Sequence, residues 1–285
     1  MNTQTLPQPK TLPQPKTLLS KAQLSKAQLS KTLLPRTAPR AAFGKIVLNE
    51  VRLAWRLPAG LIFGVAVPLL LLIIFGEIPS MHQPQASMGG LTLFPVYVPI
   101  LISMAIAILG LISLPASLVS YRDQGILRRL STTPVPSSWL LAAQLVVEFC
   151  IAMTSLLVVI VVGIAAFGLD VPRNPGALLL AIVLSIAALF AIGLSIAAAA
   201  RSGIAARAIG AGVFYPLLFF AGMWFPRELM PVILQDISNF TPLGASVEAM
   251  QDSMQGQFPP AESLLVLAGY ALVFALIARR FFRWE

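Results

Sequence analysis

The chain has 285 residues, of which 57% are hydrophobic and only 11% are charged. An ordinary soluble domain carries about 25% charged residues, so a soluble protein this apolar could not cover its surface with polar groups. The composition therefore excludes an ordinary soluble protein and indicates a chain surrounded largely by lipid. One cysteine, Cys150, and one histidine, His82, exclude a disulfide framework and a Cys/His zinc site.

The first 41 residues are a basic, low-complexity tail. The sequence TLPQPK at Thr5–Lys10 repeats at Thr11–Lys16, and SKAQL at Ser20–Leu24 repeats at Ser25–Leu29. Repeats this short carry too little apolar bulk to build a packed unit. We therefore expect residues 1–41 to form a disordered, solvated tail, the alternative being a basic tail that contacts anionic lipid. Residues 42–285 would form the membrane domain.

The segment Ala42–Arg56 has the pattern of an amphipathic helix. Its polar residues recur at spacings of three and four: Lys45, Asn49, Arg52 and Arg56. At about 100° per residue they form one narrow stripe, and apolar residues occupy the rest of the surface. Such a helix would lie at the membrane interface. The alternative is an extension of the first span, although Pro58 favours a break between the two.

Six segments are long and apolar enough to cross a bilayer, which takes about 20 mostly apolar residues. They are Leu57–Phe75, Phe94–Val119, Trp139–Phe167, Ala177–Ala200, Ala205–Phe225 and Ser263–Ala278. The sequence thus predicts an all-α membrane protein with six transmembrane helices and an interfacial amphipathic helix before them.

The positions of Lys and Arg predict the orientation of these spans. Of the 20 Lys and Arg residues, all but Arg173 and Arg227 lie before span one, after span six, or around the loops between spans two and three and between spans four and five. Cytoplasmic loops are rich in these residues, so we expect both termini in the cytoplasm. The net charge of +9 is then an orientation signal, and no nucleic-acid partner is needed to explain it.

The sequence carries no motif for chemistry on this chain. It lacks the G-x-x-x-x-G-K-[ST] pattern of a P-loop, so we expect no bound nucleotide, and we predict no catalytic or metal-binding residue. Glu148 is the one carboxylate deep inside a span. It is either a substrate-facing or coupling carboxylate, or a hydrogen-bonded glutamate against a neighbouring helix, with Gln144 one turn away.

Two loops carry further information. The first, Ser120–Ser138, predicts a short amphipathic helix on the cytoplasmic side, with Arg128 and Arg129 opposite its apolar face, that could press into a groove on a soluble partner. The alternative is a simple positively charged loop. The second, Ala221–Gln257, is too apolar for a water-exposed loop and predicts a re-entrant outer helical hairpin between spans five and six.

Both loops resemble those of ABC-2 type transporter permeases, and the chain is most similar to the daunorubicin-resistance type of drug exporter. The first loop resembles E-R-E-x-G-T-x-E-x-L-x-x-T-P-V, with Ile126 at the position of the first Thr and Arg128 at that of the acidic residue two positions later. Its matches are Gly125, Leu130, Thr133, Pro134 and Val135. The second loop resembles S-G-x-x-F-P, then a proline, then N/T-P-L-x-x-x-V-E-A. Its matches are Gly222, Phe225, Pro226, Pro231, Pro242, Leu243, Val247, Glu248 and Ala249.

The resemblance implies the permease subunit of an ATP-driven exporter in the bacterial inner membrane. Two permease copies, here a homodimer, would each dock one ABC ATPase chain, which would carry ATP and Mg. The chain itself would then be no enzyme and would hold no cofactor. The residues implied to form the ATPase-coupling loop are Arg122, Asp123, Gly125, Leu127, Arg128, Arg129, Leu130 and Pro134.

The substrate implied by the apolar spans is hydrophobic or amphiphilic, a drug or a lipid-like molecule. The residues expected along its path are Glu148, Phe219, Phe220, Met223 and Trp224. The alternative for the aromatic residues is a belt at the membrane interface. Two other functions stay open, namely an ATP-independent transporter or channel and a non-transporting subunit of a membrane complex.

Overall fold

The computed structural model describes residues 39–56, 59–84, 90, 92–126, 136 and 138–281, which are helices and turns without a strand. Residues Phe43–Glu285 form one unit. The predicted tail lies outside the described residues, apart from the first turn of α1. The helices are α1 Pro39–Arg56, α2 over residues 59–76, α3 Leu93–Asp123, α4 Ser138–Phe167, α5 Pro175–Ala199, α6 Gly203–Phe220, α7 Val232–Phe240, α8 Pro242–Gln255 and α9 Ala261–Phe281.

Within the described part of the chain, five helices are long and apolar enough to cross a membrane: α3, α4, α5, α6 and α9. They correspond to predicted spans two to six. The first predicted span, Leu57–Phe75, corresponds to α2, whose apolar helical stretch Ile62–Gly76 is shorter than these five helices, so a sixth crossing stays a prediction. The fifth span was predicted to reach Phe225, but α6 ends at Phe220. Gly222 has a φ of 91°, and a residue in this left-handed region ends a helix.

Two helices contain a π-helical segment, Ile62–Ala66 in α2 and Ile108–Ser113 in α3. Each segment ends two residues before a proline, Pro68 or Pro115. Proline has no amide to donate to the carbonyl four residues earlier, and a wider turn is one way in which a helix accommodates it. The two segments pack against each other, with Gly64 of α2 directly on the side chain of Leu109.

Helix α3 is buried and lies at the centre of the bundle. Helices α5 and α6 approach its π-helical segment backbone to backbone. Gly193 of α5 lies against the carbonyl of Gly110, and Gly210 of α6 lies against the carbonyl of Leu111. A side chain at either glycine would overlap these oxygens, so the two close contacts require glycine.

Helices α7 and α8 form the hairpin between α6 and α9. Helix α8 is buried against α3, α5 and α9, and the hydroxyls of Ser246 on α8 and Ser103 on α3 are 2.9 Å apart. Arg227 donates to the carbonyl of Gly244 at 3.0 Å, which ties the preceding turn to the hairpin. Helix α7 leaves an apolar face uncovered, with Val232 and Ile233 71% and 74% exposed. Re-entry of this hairpin into the membrane stays a prediction.

We predict that Gly193→Ala and Gly210→Ala each destabilise the protein by about 1–3 kcal/mol, because the added methyl group meets backbone that cannot move aside. The measurement is the apparent thermal unfolding midpoint of the purified, detergent-solubilised chain. Gly212→Ala is the matched control, since Gly212 lies on the same helix as Gly210 and a methyl group there meets nothing within 4 Å. An unchanged midpoint in both test variants would contradict the close-contact account.

Candidate functional site

An elongated cavity of about 950 Å³ lies between α1, α2, α3, α4 and α6. One end of the cavity lies at Gln124, directly after Asp123, the last residue of α3. We call it the Asp123 end of the cavity. The other end reaches Met223 and Trp224, beyond the far end of α6. Along α3 the lining extends from Met104 to Gln124, about 30 Å at 1.5 Å per residue. A cavity of this volume is within the range of small-molecule binding sites.

The wall of the cavity is mostly apolar. Aliphatic and aromatic side chains cover the half away from the Asp123 end: Phe63, Val67, Leu71, Met104, Ile108, Phe214 and Leu218. Polar side chains gather toward the Asp123 end: Ser113, Ser117, Ser120, Tyr121, Gln124 and Gln144. Three charged residues line the cavity among those described: Glu50, Glu148 and Arg207. The two ends of the cavity therefore differ in polarity.

Glu148 is buried in this wall, with 3% of its surface exposed. Its Oε1 accepts a hydrogen bond from the hydroxyl of Ser113 at 2.8 Å and a longer one from the amide of Gln144 at 3.4 Å. The same amide donates to the hydroxyl of Ser117 at 3.2 Å. Oε2 has no hydrogen-bond partner among the described residues. The carboxyl is thus held in place through one oxygen while the other is unpaired.

The residues expected along a substrate path are only partly brought together. Glu148, Met223 and Trp224 line the cavity, and Trp224 is 51% exposed. Phe219 and Phe220 are not part of its lining; their rings pack edge to face with centroids 5.4 Å apart. The carbonyl of Phe220 accepts a hydrogen bond from Ser238, so this end of α6 is tied to α7.

The predicted coupling loop is described only at its start. The guanidinium of Arg122 donates to the carbonyl of Ala200, and Oδ2 of Asp123 accepts from the amide of Gly203 at 3.0 Å. These contacts fasten the end of α3 to the turn between α5 and α6. Gly125 follows with a φ of 67°, in the left-handed region that suits glycine. Five predicted residues lie outside the described part of the chain: Leu127, Arg128, Arg129, Leu130 and Pro134.

The amphipathic helix predicted over Ala42–Arg56 is α1, which begins three residues earlier, at Pro39. Its predicted polar stripe is exposed: Lys45, Asn49, Arg52 and Arg56. The opposite face packs on the bundle, where the ring of Phe43 meets Trp139 edge to face with centroids 5.9 Å apart. The location of α1 at a membrane interface stays a prediction.

Sequence reasoning missed a hydrogen bond between α1 and α3. The hydroxyl of Tyr121 donates to Oε2 of Glu50 at 2.7 Å, and Glu50 is 4% exposed. Burial raises the pKa of the Glu50 carboxyl, and the hydrogen bond from Tyr121 partly opposes the rise. The available signal was an acidic residue on the apolar face of an amphipathic helix. Both residues line the cavity, so this contact closes part of its wall at the Asp123 end.

We predict that Glu50→Gln makes the protein more heat-stable than wild type at high pH, with a gain that shrinks as the pH falls. The raised pKa means that the folded state holds its proton more strongly than the unfolded chain. Wild type therefore loses stability as the pH rises through that pKa, whereas glutamine cannot ionise. The measurement is the unfolding midpoint of both proteins between about pH 4 and pH 8.

Glu262→Gln, at an exposed carboxyl near the start of α9, is the control for removing an acidic group as such. A difference between Glu50→Gln and wild type that stays constant over the whole pH range would contradict the burial account.

Comparison with known proteins supports a transport role for this architecture. The family model described as "ABC-2 type transporter" matches residues 42–254, a region that contains every residue lining the cavity. The Bacillus subtilis (strain 168) protein named "Putative transport permease YvfS" is 26% identical over 172 residues, covering 60% of this chain and 69% of the relative. Permeases of the ABC-2 type transporter family are membrane transport subunits and are not themselves enzymes. Because the family match covers well over half of the sequence, the chain belongs to this family.

Proposed function

We propose that this chain is the transmembrane subunit of an ATP-driven ABC exporter that moves a hydrophobic or amphiphilic molecule, drug-like or lipid-like, out of the cell. ATP and Mg would bind to a separate ATPase chain. The observation that carries the proposal is the elongated cavity, which borders the start of the predicted coupling loop at one end and reaches Trp224 at the other.

The chemistry of the cavity wall supports this substrate class. Its surface is mostly apolar, and the polar groups gather toward one end and around Glu148. An apolar wall with a few placed polar groups favours an amphiphile, because apolar surface binds the tail and the polar groups orient the head. The daunorubicin-resistance type of exporter is the subgroup that we propose, on the resemblance of the sequence to that type.

The contacts at the Asp123 end support coupling to an ATPase. Arg122 and Asp123 hold the start of the loop to the α5–α6 turn, and Tyr121 holds it to Glu50 on α1. A force on the loop would therefore act together on α1, α3 and α6, which all line the cavity. Such a link suits a transporter that alternates between two discrete packings when ATP binds.

The proposed assembly contains two copies of this chain and two ATPase chains in a bacterial inner membrane, with both termini of each permease in the cytoplasm. Helix α6 presents an uncovered face to lipid or to the second copy. Ile204 at its start and Pro216 near its end are both exposed, and a methyl group added at Gly212 between them would meet nothing within 4 Å.

We predict that the affinity-tagged chain, solubilised from the membranes of its native host, co-purifies with an ABC ATPase, and that the double substitution Arg128→Glu and Arg129→Glu abolishes the association. The two arginines lie in the predicted docking loop. Glutamates at these positions would be repelled by acidic groups of the ATPase groove, or would lose the hydrogen bonds that the arginines donate to it. The measurement is the amount of ATPase recovered per permease, by quantitative mass spectrometry.

The matched control is Arg279→Glu with Arg280→Glu, the same change in charge at exposed positions in the last turn of α9. Loss of the ATPase from both double variants would contradict the loop assignment. Absence of any ATPase from the wild-type preparation would overturn the exporter proposal and favour ATP-independent transport.

A further inference from the structure

We propose that the cavity takes an amphiphile whose polar head is a protonated amine, and that the Glu148 carboxylate is the group that binds it. The proposal rests on the proposed function in treating the cavity as a substrate site, and it adds the charge of the substrate. It can be tested without the ATPase, because it concerns binding to this chain alone.

The unpaired oxygen of Glu148 is the first observation. Oε1 is held by Ser113 and Gln144, whereas Oε2 is buried and has no partner among the described residues. A buried polar atom without a hydrogen bond costs free energy. Glu148 lines the cavity, so a rotation of its carboxyl would present Oε2 to a donor on a ligand there. A carboxylate oxygen accepts most strongly from a cationic donor such as an ammonium group.

No cation of the described residues forms a salt bridge with the Glu148 carboxyl. Arg207 is the one described basic residue that lines the cavity, and it makes no ion pair with Glu148. It lies three residues before Gly210, which meets Leu111 of α3, so its backbone is close to the depth of Ser113 while its guanidinium is not bound to the carboxyl. Glu50, the other acidic lining residue, already accepts from Tyr121.

The walls beyond Glu148 fit the tail of such a ligand. Toward the Met223 end, the lining is apolar apart from the Tyr215 hydroxyl and the Trp224 indole. Between Ser113 and Met104 this part of the cavity extends about 13 Å along α3. An ammonium group at Glu148 would therefore place an alkyl or aromatic tail along this apolar wall, while Ser113 and Gln144 keep the carboxylate oriented.

The test uses two fluorescent probes that differ only in their head group. Each carries a dansyl group on an eight-carbon chain, which ends in a primary amine in one probe and in an alcohol in the other. Binding to the purified full-length chain is measured in nanodiscs of uncharged phosphatidylcholine, and partitioning into empty nanodiscs is subtracted. We expect wild type to bind the amine about tenfold more tightly than the alcohol.

Glu148→Gln should lower the affinity for the amine by about tenfold and leave the affinity for the alcohol unchanged, because the amide keeps its size but not its charge. Glu148→Asp should keep part of the preference. Glu262→Gln is the control for loss of an acidic residue outside the cavity, and the unfolding midpoint of each variant confirms its fold.

Equal binding of the two probes by wild type would overturn the amine assignment, and this comparison needs no variant to fold. Equal loss of both probes in Glu148→Gln would overturn it as well, by showing that Glu148 shapes the cavity without recognising charge. Neither result bears on association with an ATPase, so failure of this inference is distinguishable from failure of the exporter proposal.

Discussion

The close backbone contact of α5 and α6 with the π-helical segment of α3 is the constraint on which the rest of the bundle depends. The carbonyls of Gly110 and Leu111 meet Gly193 and Gly210, where no side chain fits. This packing closes one side of α3 and leaves the cavity, bounded by α1, α2, α4 and α6, on another. Ser113, the last residue of the same segment, binds Glu148. One local irregularity in a helix therefore sets both the packing of the bundle and the position of its buried carboxyl.

The cavity also connects two groups of contacts with different roles. At the Asp123 end, polar contacts join α1, α3 and the α5–α6 turn, so these elements can move only together or by breaking hydrogen bonds. Beyond the far end of α6, Ser238 and Arg227 tie the α7–α8 hairpin to its surroundings. The region between is mostly apolar, apart from the hydrogen bonds of Glu148 and the close contacts of α3 with Gly193 and Gly210. In the proposed exporter, helices of this middle region would shift around those fixed contacts.

The sequence predicts the elements well and their contacts poorly. Composition and hydropathy located α3, α4, α5, α6 and α9, because long apolar helices have a strong local signal. The Glu50–Tyr121 hydrogen bond joins residues far apart in sequence, and only the tertiary packing brings them together. Phe219 and Phe220 were grouped with Met223 and Trp224 because they are neighbours in sequence, but they do not line the cavity. On a helix, each residue points about 100° from the one before.

The most direct test of the account is whether the two ends of the cavity open in turn. Single cysteines would replace Ser120 or Met223 in a Cys150→Ala background, since Cys150 is free and exposed. A membrane-impermeant maleimide would be applied from each side of vesicles that contain the permease and its ATPase, with and without a non-hydrolysable ATP analogue. The account predicts that Ser120→Cys is labelled from the cytoplasmic side without nucleotide and Met223→Cys from the outer side with it. Labelling of both positions that nucleotide does not change would contradict it.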